Sequence, residues 1–249
     1  MPCVTVADFL IPDWPVPAHV RALQTLRTGG CSPAPWASFN LGDHVGDDPA
    51  RVATNRAELR RQLPAEPLWL RQVHGTAVVD AGHVLQAATA DASFSVEQGK
   101  VCAVMTADCL PVLFCDRAGT VVAAAHAGWR GLLDGILECT IAALPVVPGE
   151  LLAWLGPAIG PERFEVGGEV RAAFVAHDAQ AAASFRPHGD KWWADIYSLA
   201  RQRLQAAGVT NIHGDGQCTV SDAERYFSYR RDGVTGRMAT LIWLEAPGG

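Results

Sequence analysis

His74, Cys109 and His126 each close an apolar segment at a turn: Arg-Gln-Val-His at 71–74, Ala-Asp-Cys at 107–109, and Ala-Ala-Ala-His-Ala-Gly-Trp-Arg-Gly at 123–131. Two imidazoles and a thiolate make a three-ligand set for a borderline-soft divalent ion such as zinc. Catalytic zinc sites typically keep a fourth position for water or substrate. The spacing is too wide for a local zinc-knuckle pattern, so the case rests on the shared setting of the three residues. Zinc can lower the pKa of a bound water from about 15.7 to about 7. At about 1.36 kcal/mol per unit that is roughly 12 kcal/mol, against roughly 0.3–1 kcal/mol from an exposed helix N-terminus. The first expectation is a metalloenzyme.

Around these ligands stand further candidates. Asp108 is suited to orienting a ligand or moving a proton. Arg71 and Arg130 flank the ligands and are suited to bidentate capture of phosphate or carboxylate. Gln72 and Asn40 are candidate hydrogen-bonding groups for a substrate. Trp129 reads as a packing residue. Tyr226, Tyr229, Arg230 and Arg231 read equally well as a cleft wall or a solvated turn.

The elements that must position these residues are legible in outline. Residues 20–27 alternate as a strand that ends at Thr28-Gly29-Gly30. The loop 28–48, with Pro33, Pro35, Asn40, Gly42 and Gly46, is expected to be irregular and exposed. Asp48-Pro49 opens a helix over 49–62, with an acidic N-terminus and arginines late in it. Residues 68–73 read as a strand delivering His74. The stretch 101–106 reads as a buried strand, and 111–116 with 121–125 as a hairpin. A helix over 131–144 places Leu132, Leu133, Ile136, Leu137 and Ile141 on its apolar side. A strand at 151–155, helices at 168–177, 195–207 and 222–229, and a closing strand at 237–244 complete the pattern. Several strands follow one another directly, so the sheet is expected to be mixed.

The chain has 249 residues, 49% of them hydrophobic, with a formal charge of −6. It is long enough to bury a substantial core, and with no long linker it reads as one domain over 1–249. The acidic balance argues against a nucleic-acid binder, while local clusters of arginines leave a small anionic ligand open. Seven scattered cysteines, at 3, 31, 102, 109, 115, 139 and 218, contain no CxxC pair. They imply reduced thiols rather than a disulfide framework. The N-terminus lacks a basic region before an apolar run, and Val101–Cys115 is too short to span a bilayer. A cytoplasmic, membrane-free enzyme is expected, and no feature specifies an oligomeric state. Walker A, GxGxxG, GxSxG and HExxH motifs are absent.

Read together, Thr-Leu-Arg-Thr-Gly-Gly-Cys-Ser, Ser-Phe-Asn-Leu-Gly-Asp-His-Val-Gly-Asp-Asp-Pro, Arg-Gln-Val-His-Gly, Ala-Asp-Cys-Leu-Pro-Val and Ala-His-Ala-Gly-Trp-Arg-Gly resemble the YfiH-like family. Gly-Pro-Ala-Ile-Gly at 156–160 and Phe-Ser-Tyr-Arg-Arg-Asp at 227–232 extend the match over nearly the whole chain. The resemblance implies an α/β (α+β) fold of mixed β-sheets flanked by helices, related to the cytotoxic-necrotizing-factor catalytic domain. It carries the metal-ligand role onto His74, Cys109 and His126. It also implies a zinc-dependent purine nucleoside phosphorylase, acting on adenosine, inosine or methylthioadenosine with phosphate, that also deaminates adenosine. In that reading Asp108, Arg71, Cys109 and His126 are catalytic, and Asn40, Gln72 and Arg130 bind substrate. Two alternatives accompany it. One is a cysteine-type amide hydrolase, editing peptidoglycan precursors, in which Cys109 attacks and His126 acts as base. The other is a copper-dependent polyphenol oxidase (laccase-like) side activity, because Cu2+ competes for the same donors. A multicopper centre needs many histidines in His-x-His pairs, whereas this chain has eight in all and no such pair.

Overall fold

A computed structural model describes residues 9–84, 87–214 and 216–246. Cys3 and the N-terminal segment read above as lacking a leader lie outside the described residues, apart from Phe9 and Leu10.

Among the described residues, thirteen strands and six α-helices follow in chain order. They are β1 (Phe9–Leu10), β2 (Val20–Thr25), α1 (Pro49–Arg60), β3 (Val78–Asp80), β4 (Ala92–Ser95), β5 (Val101–Thr106), β6 (Leu110–Asp116), β7 (Val122–Ala127), α2 (Trp129–Asp134) and α3 (Ile136–Ala143). The chain continues with β8 (Leu151–Leu155), β9 (Glu165–Val166), α4 (Gly168–His177), β10 (Phe185–His188), β11 (Lys191–Ala194), α5 (Ile196–Ala206), β12 (Asn211–His213), α6 (Tyr229–Asp232) and β13 (Met238–Leu244).

A six-stranded sheet runs β12-β8-β6-β7-β4-β3, a four-stranded one β1-β2-β13-β5, and a small one β10-β11-β9. In the large sheet β12 with β8 and β3 with β4 pair parallel, while the central pairs are antiparallel. The fold is therefore mixed α+β, as the sequence led us to expect.

Burial explains why β5, β6 and β7 are apolar except at Thr106, Asp116 and His126. Leu113 and Cys115 on β6 pack with Cys102, Val104 and Ile242 of the four-stranded sheet. Val112 and Phe114 face the other way, against Leu132, Ile136, Leu137, Leu199 and Leu204 of the helices. A strand covered on both faces needs apolar residues at consecutive positions, not alternate ones. The outer face of the four-stranded sheet is covered by Leu59 of α1 with Phe39, Leu41 and Trp69. Ile196, Leu199, Ala200 and Leu204 form the buried stripe of α5, as its 3.6-residue period implies.

Four local expectations change. The loop 28–48 is irregular, but it is not all exposed: Phe39, Asn40 and Leu41 are buried. The amide of Asn55 on α1 holds it, accepting from Cys31 N and donating to Ser32 Oγ, Ser38 O and Asn40 O. Side-chain amides there satisfy backbone groups that a ladder would otherwise pair.

Residues 68–73 form no continuous strand, only bridges at Leu68 and Arg71. The Gln72 amide instead clasps the Met105 backbone in both directions, at 2.8 and 2.7 Å. The helix expected over 131–144 starts at Trp129 and divides at Gly135. Gly135 has a φ of 102°, a left-handed conformation that ends one helix and opens the next. Residues 222–228 form turns; a helix begins only at Tyr229, capped by the Ser228 hydroxyl.

Among the described residues no helix is long and apolar enough to cross a membrane. The six described cysteines are all free thiols.

Candidate metal centre

Antiparallel pairing gathers the chemistry at one end of the six-stranded sheet. Because β6 and β4 both run against β7, the starts of β6 and β4 lie beside the end of β7. Cys109 precedes β6, Asp91 precedes β4, and His126 is the penultimate residue of β7, so all three meet there. His74 joins them from a tight turn with a φ of 61°.

The donor atoms of His74, Cys109 and His126 lie within 4.8 Å of one another. Cys109 Sγ is 3.7 Å from His74 Nε2, and the two imidazoles meet edge-to-face with centroids 4.8 Å apart. Zinc bonds of about 2.0–2.3 Å in tetrahedral geometry put neighbouring donors about 3.5 Å apart, so the cluster fits one ion with little adjustment.

Asp91, which the sequence reading did not single out, organises the cluster. It is fully buried. Its Oδ1 is 2.8 Å from His126 Nδ1 and accepts from His74 N, while Oδ2 accepts from Val73 N and Gly75 N. Its own carbonyl accepts from His126 N at 2.7 Å. One carboxylate thus holds the strained turn of His74 and commits Nδ1 of His126, turning Nε2 toward the cluster. Carboxylate–imidazole pairs of this kind fix the tautomer of metal ligands. Only the Ala-Asp-Ala context at 90–92 marked it in the sequence.

The electrostatics are strongly perturbed. Burial opposes ionisation of Cys109, but the His126 and His74 imidazoles outweigh it and hold the thiol down at about 6. Burial also disfavours charged His126, yet Cys109 and Asp91 together push it up to about 9. Asp91 itself stays below the usual carboxylate range: burial acts against that, but His126 and the backbone N–H groups prevail. A chelator-stripped sample should therefore react with iodoacetamide at a rate that levels off above about pH 6–7 and falls about tenfold per unit below. Zinc should protect the thiol. A rate still climbing toward the ordinary cysteine value of about 8.5 would show that the thiolate–imidazolium pair does not form.

Above the cluster opens a cavity of about 570 Å³. Trp129, Phe164, Ile196 and Tyr229 contribute apolar wall, and Arg130, Arg230 and Arg237 cationic wall. Gly128, the N-cap of α2, packs directly against the donors. A Cβ there would lie 2.8 Å from His74 Cδ2 and 3.0 Å from Cys109 Sγ.

The other sequence candidates fall in distinct places. Asp108 lines the cavity with a φ of 91°. Its carboxylate accepts from the Thr219 hydroxyl and from Arg230 N, both at 2.6 Å. Gln72 reaches the wall, but its amide is paired with Met105. Arg130 lines the cavity with its guanidinium stacked 4.4 Å from the Trp129 ring. Trp129 is thus both packed on the core and exposed to the cavity.

Arg71 is exposed and is not among the cavity-lining residues. Asn40 is fully buried behind the wall, where its Oδ1 accepts from Arg237 N and Gly42 N. Tyr229 and Arg230 line the cavity, whereas Tyr226 is buried and Arg231 binds the backbone of Thr219, Val220 and Tyr226. Arg237 and Thr106 are cavity residues that the sequence reading passed over.

A family model described as multi-copper polyphenol oxidoreductase laccase matches residues 21–245. Purine nucleoside phosphorylase YfiH of Escherichia coli K12 is 56% identical over 242 residues, covering 96% of this chain and 100% of that protein. The chain belongs to the YfiH-like family. Another relative of this YfiH-like chain, a purine nucleoside phosphorylase of Pseudomonas aeruginosa, is 58% identical over 241 residues, 95% of this chain and 98% of its own. A crystal structure of a Neisseria meningitidis protein of family DUF152 superposes with a TM-score of 0.93 at 52% identity, covering 96% and 100% of the two chains. In the YfiH-like chain itself, the described residues contain a single His/Cys group able to hold an ion. Its donor set suits one mononuclear metal rather than several coppers.

Proposed function

We propose that this protein is a cytoplasmic, zinc-dependent purine nucleoside enzyme that cleaves adenosine, inosine or methylthioadenosine with phosphate and also deaminates adenosine. The observation carrying the proposal is the His74–Cys109–His126 cluster beneath a cavity of nucleoside size, whose mainly apolar wall also carries three arginines. The naming of the Escherichia coli and Pseudomonas relatives as purine nucleoside phosphorylases supports the same substrate class. Unpaired cysteines suit a reducing compartment.

His74, Cys109 and His126 would hold the ion, zinc in preference and Cu2+ as competitor. When bound, it supplies Lewis-acid polarisation and an activated water. Asp91 keeps His126 in the tautomer that presents Nε2. Trp129, Phe164 and Tyr229 offer apolar faces for a purine, and Arg130 a further donor at the rim. In phosphorolysis, a phosphate oxygen bonds to ribose C1′ as the C1′–N9 bond breaks, and the base leaves with a proton. In deamination, water adds at C6 and ammonia departs. Asp108, with both oxygens already engaged, acts by fixing Arg230 and the Thr219 turn rather than as a free acid.

A second reading has one specific observation behind it. The low pKa of Cys109 beside His126 also suits a thiol nucleophile acting on an amide. Chromatographic product analysis with metal-quantified protein separates the two. Adenosine or inosine with phosphate should give free base and ribose-1-phosphate. Activity and bound zinc should be lost together in His74→Ala and Cys109→Ala. No turnover at full zinc occupancy would reject the nucleoside reading. Turnover of an amide substrate, indifferent to chelators but abolished by iodoacetamide, would favour the thiol hydrolase.

A further inference from the structure

Resting on the nucleoside reading above, we infer that Arg237, with the Thr106 hydroxyl, forms an oxyanion subsite of the cavity that takes inorganic phosphate.

Arg237 is built for this position. It follows the Thr235-Gly236 turn and precedes β13, with its backbone N–H donating to Asn40 Oδ1 at 2.9 Å. Its Nη1 donates to Thr235 O and Gly236 O at 3.2 and 3.1 Å. That pairing fixes the plane of the guanidinium. Nε and Nη2 donate to no protein group among the described residues, which leaves a bidentate edge of the kind that matches phosphate. The aliphatic stem lies against Gly42, where a Cβ would come within 2.7 Å of Arg237 Cγ. The buried Asn40 loop therefore exists in a form that accommodates this arginine.

The charge of Arg237 is also uncompensated. No carboxylate lies within ion-pair distance of it among the described residues, whereas eight other arginines stand beside one. Asp108, the carboxylate of the cavity wall, already accepts from Thr219 and Arg230 N. Burial pushes the Arg237 pKa down, and the groups opposing that are Cys109, Asp108 and Tyr229, all of them cavity residues. Arg230 differs, because its Nη1 is spent on the carbonyls of Arg163 and Glu165.

Thr106 adds an independent sign. It lines the same cavity at the end of β5 and is 1% exposed, and its hydroxyl has no hydrogen-bond partner. Buried hydroxyls are nearly always paired, so an orphan at a cavity wall points to a ligand oxygen. A phosphate accepting from both groups would satisfy the arginine and the hydroxyl together.

The test is calorimetric titration of zinc-loaded protein with inorganic phosphate, beside Arg237→Gln, Arg237→Lys, Thr106→Val and Arg71→Gln. Arg237→Gln should weaken phosphate binding roughly 10- to 100-fold, the span for losing charge-assisted hydrogen bonds, with zinc content unchanged. Arg237→Lys keeps charge without the bidentate edge and should fall between. It carries the test if the glutamine variant does not fold. Where phosphorolysis is measurable, the loss should appear in the KM for phosphate and not in that for nucleoside. No phosphate binding by the wild type, wild-type affinity in Arg237→Gln, or a loss confined to Arg71→Gln each overturns the assignment. Arg237-dependent phosphate binding without nucleoside turnover upholds the subsite and rejects the nucleoside reading. Turnover with an unchanged phosphate KM in Arg237→Gln does the reverse.

Discussion

Asp91→Asn should cost zinc affinity about 10- to 100-fold, the range for partners that orient a metal-ligating histidine. It should do so although Asp91 touches no substrate. The carboxylate accepts from three consecutive backbone N–H groups and pairs with His126 Nδ1. An amide of the same shape presents one acceptor oxygen where two are needed, and its NH2 faces donors. Asp91→Ala is harsher. Each buried donor left unpaired costs about 1–3 kcal/mol, so the two-state stability should fall by several kcal/mol. Chelator competition for zinc and thermal melts of both variants check this. Wild-type zinc affinity in Asp91→Asn would reduce Asp91 to a structural clamp. The sign with pH follows from its lowered pKa. The Asp91 contribution is complete above the ordinary carboxylate range and is lost only as pH falls through the depressed folded value.

Gly128→Val should cost at least as much, for a steric reason. The first added carbon already lies 2.8 Å from the His74 ring and 3.0 Å from Cys109 Sγ. Both donors are tied through their backbones. His74 is held by the Asp91 clamp, and Cys109 sits between Asp108, whose carbonyl accepts from Ile159 N, and the start of β6. The φ of Gly128 is −63°, so backbone strain is not the cause. Displacing a ligand by about 1 Å is worth roughly 100-fold in rate, and overpacking typically costs about 1–3 kcal/mol. Gly128→Ala should show the same loss in weaker form. Zinc stoichiometry and turnover in both variants decide the matter. Full metal content with normal activity in the valine variant would mean that the cluster is more pliant than its hydrogen bonds imply.

The residues of the candidate metal cluster were easier to read than those that hold them. His74, Cys109 and His126 stood out because each is a chemically distinctive type at the end of an apolar run. Asp91 did not, since an aspartate between alanines looks like any turn residue. Its meaning comes from the antiparallel pairing of β4 with β7, which sets it beside His126. Arg71 and Arg237 show the same limit from the other side. Arg71 is near the ligands in sequence yet exposed outside the cavity, while Arg237 is remote in sequence and lines it.

The fold divides along the same boundary. Elements with a strong local signal, such as α1 after Asp48-Pro49, the stripe of α5 and the buried runs of β5 to β7, formed as their patterns required. Residues 68–73 carried a strand pattern, but their backbone pairs in scattered bonds with Val101, Ala87, Ala88 and Ala90, and Val73 N goes to the Asp91 carboxylate. The helix after His126 broke at Gly135, because glycine permits a left-handed residue there. By itself, the sequence determined the family, the mixed α+β fold and the three donor types. Tertiary structure alone decided which carboxylate orients them and which arginine faces them, because those contacts join segments from 16 to 197 residues apart. At such separations no local period or turn signal constrains the pairing.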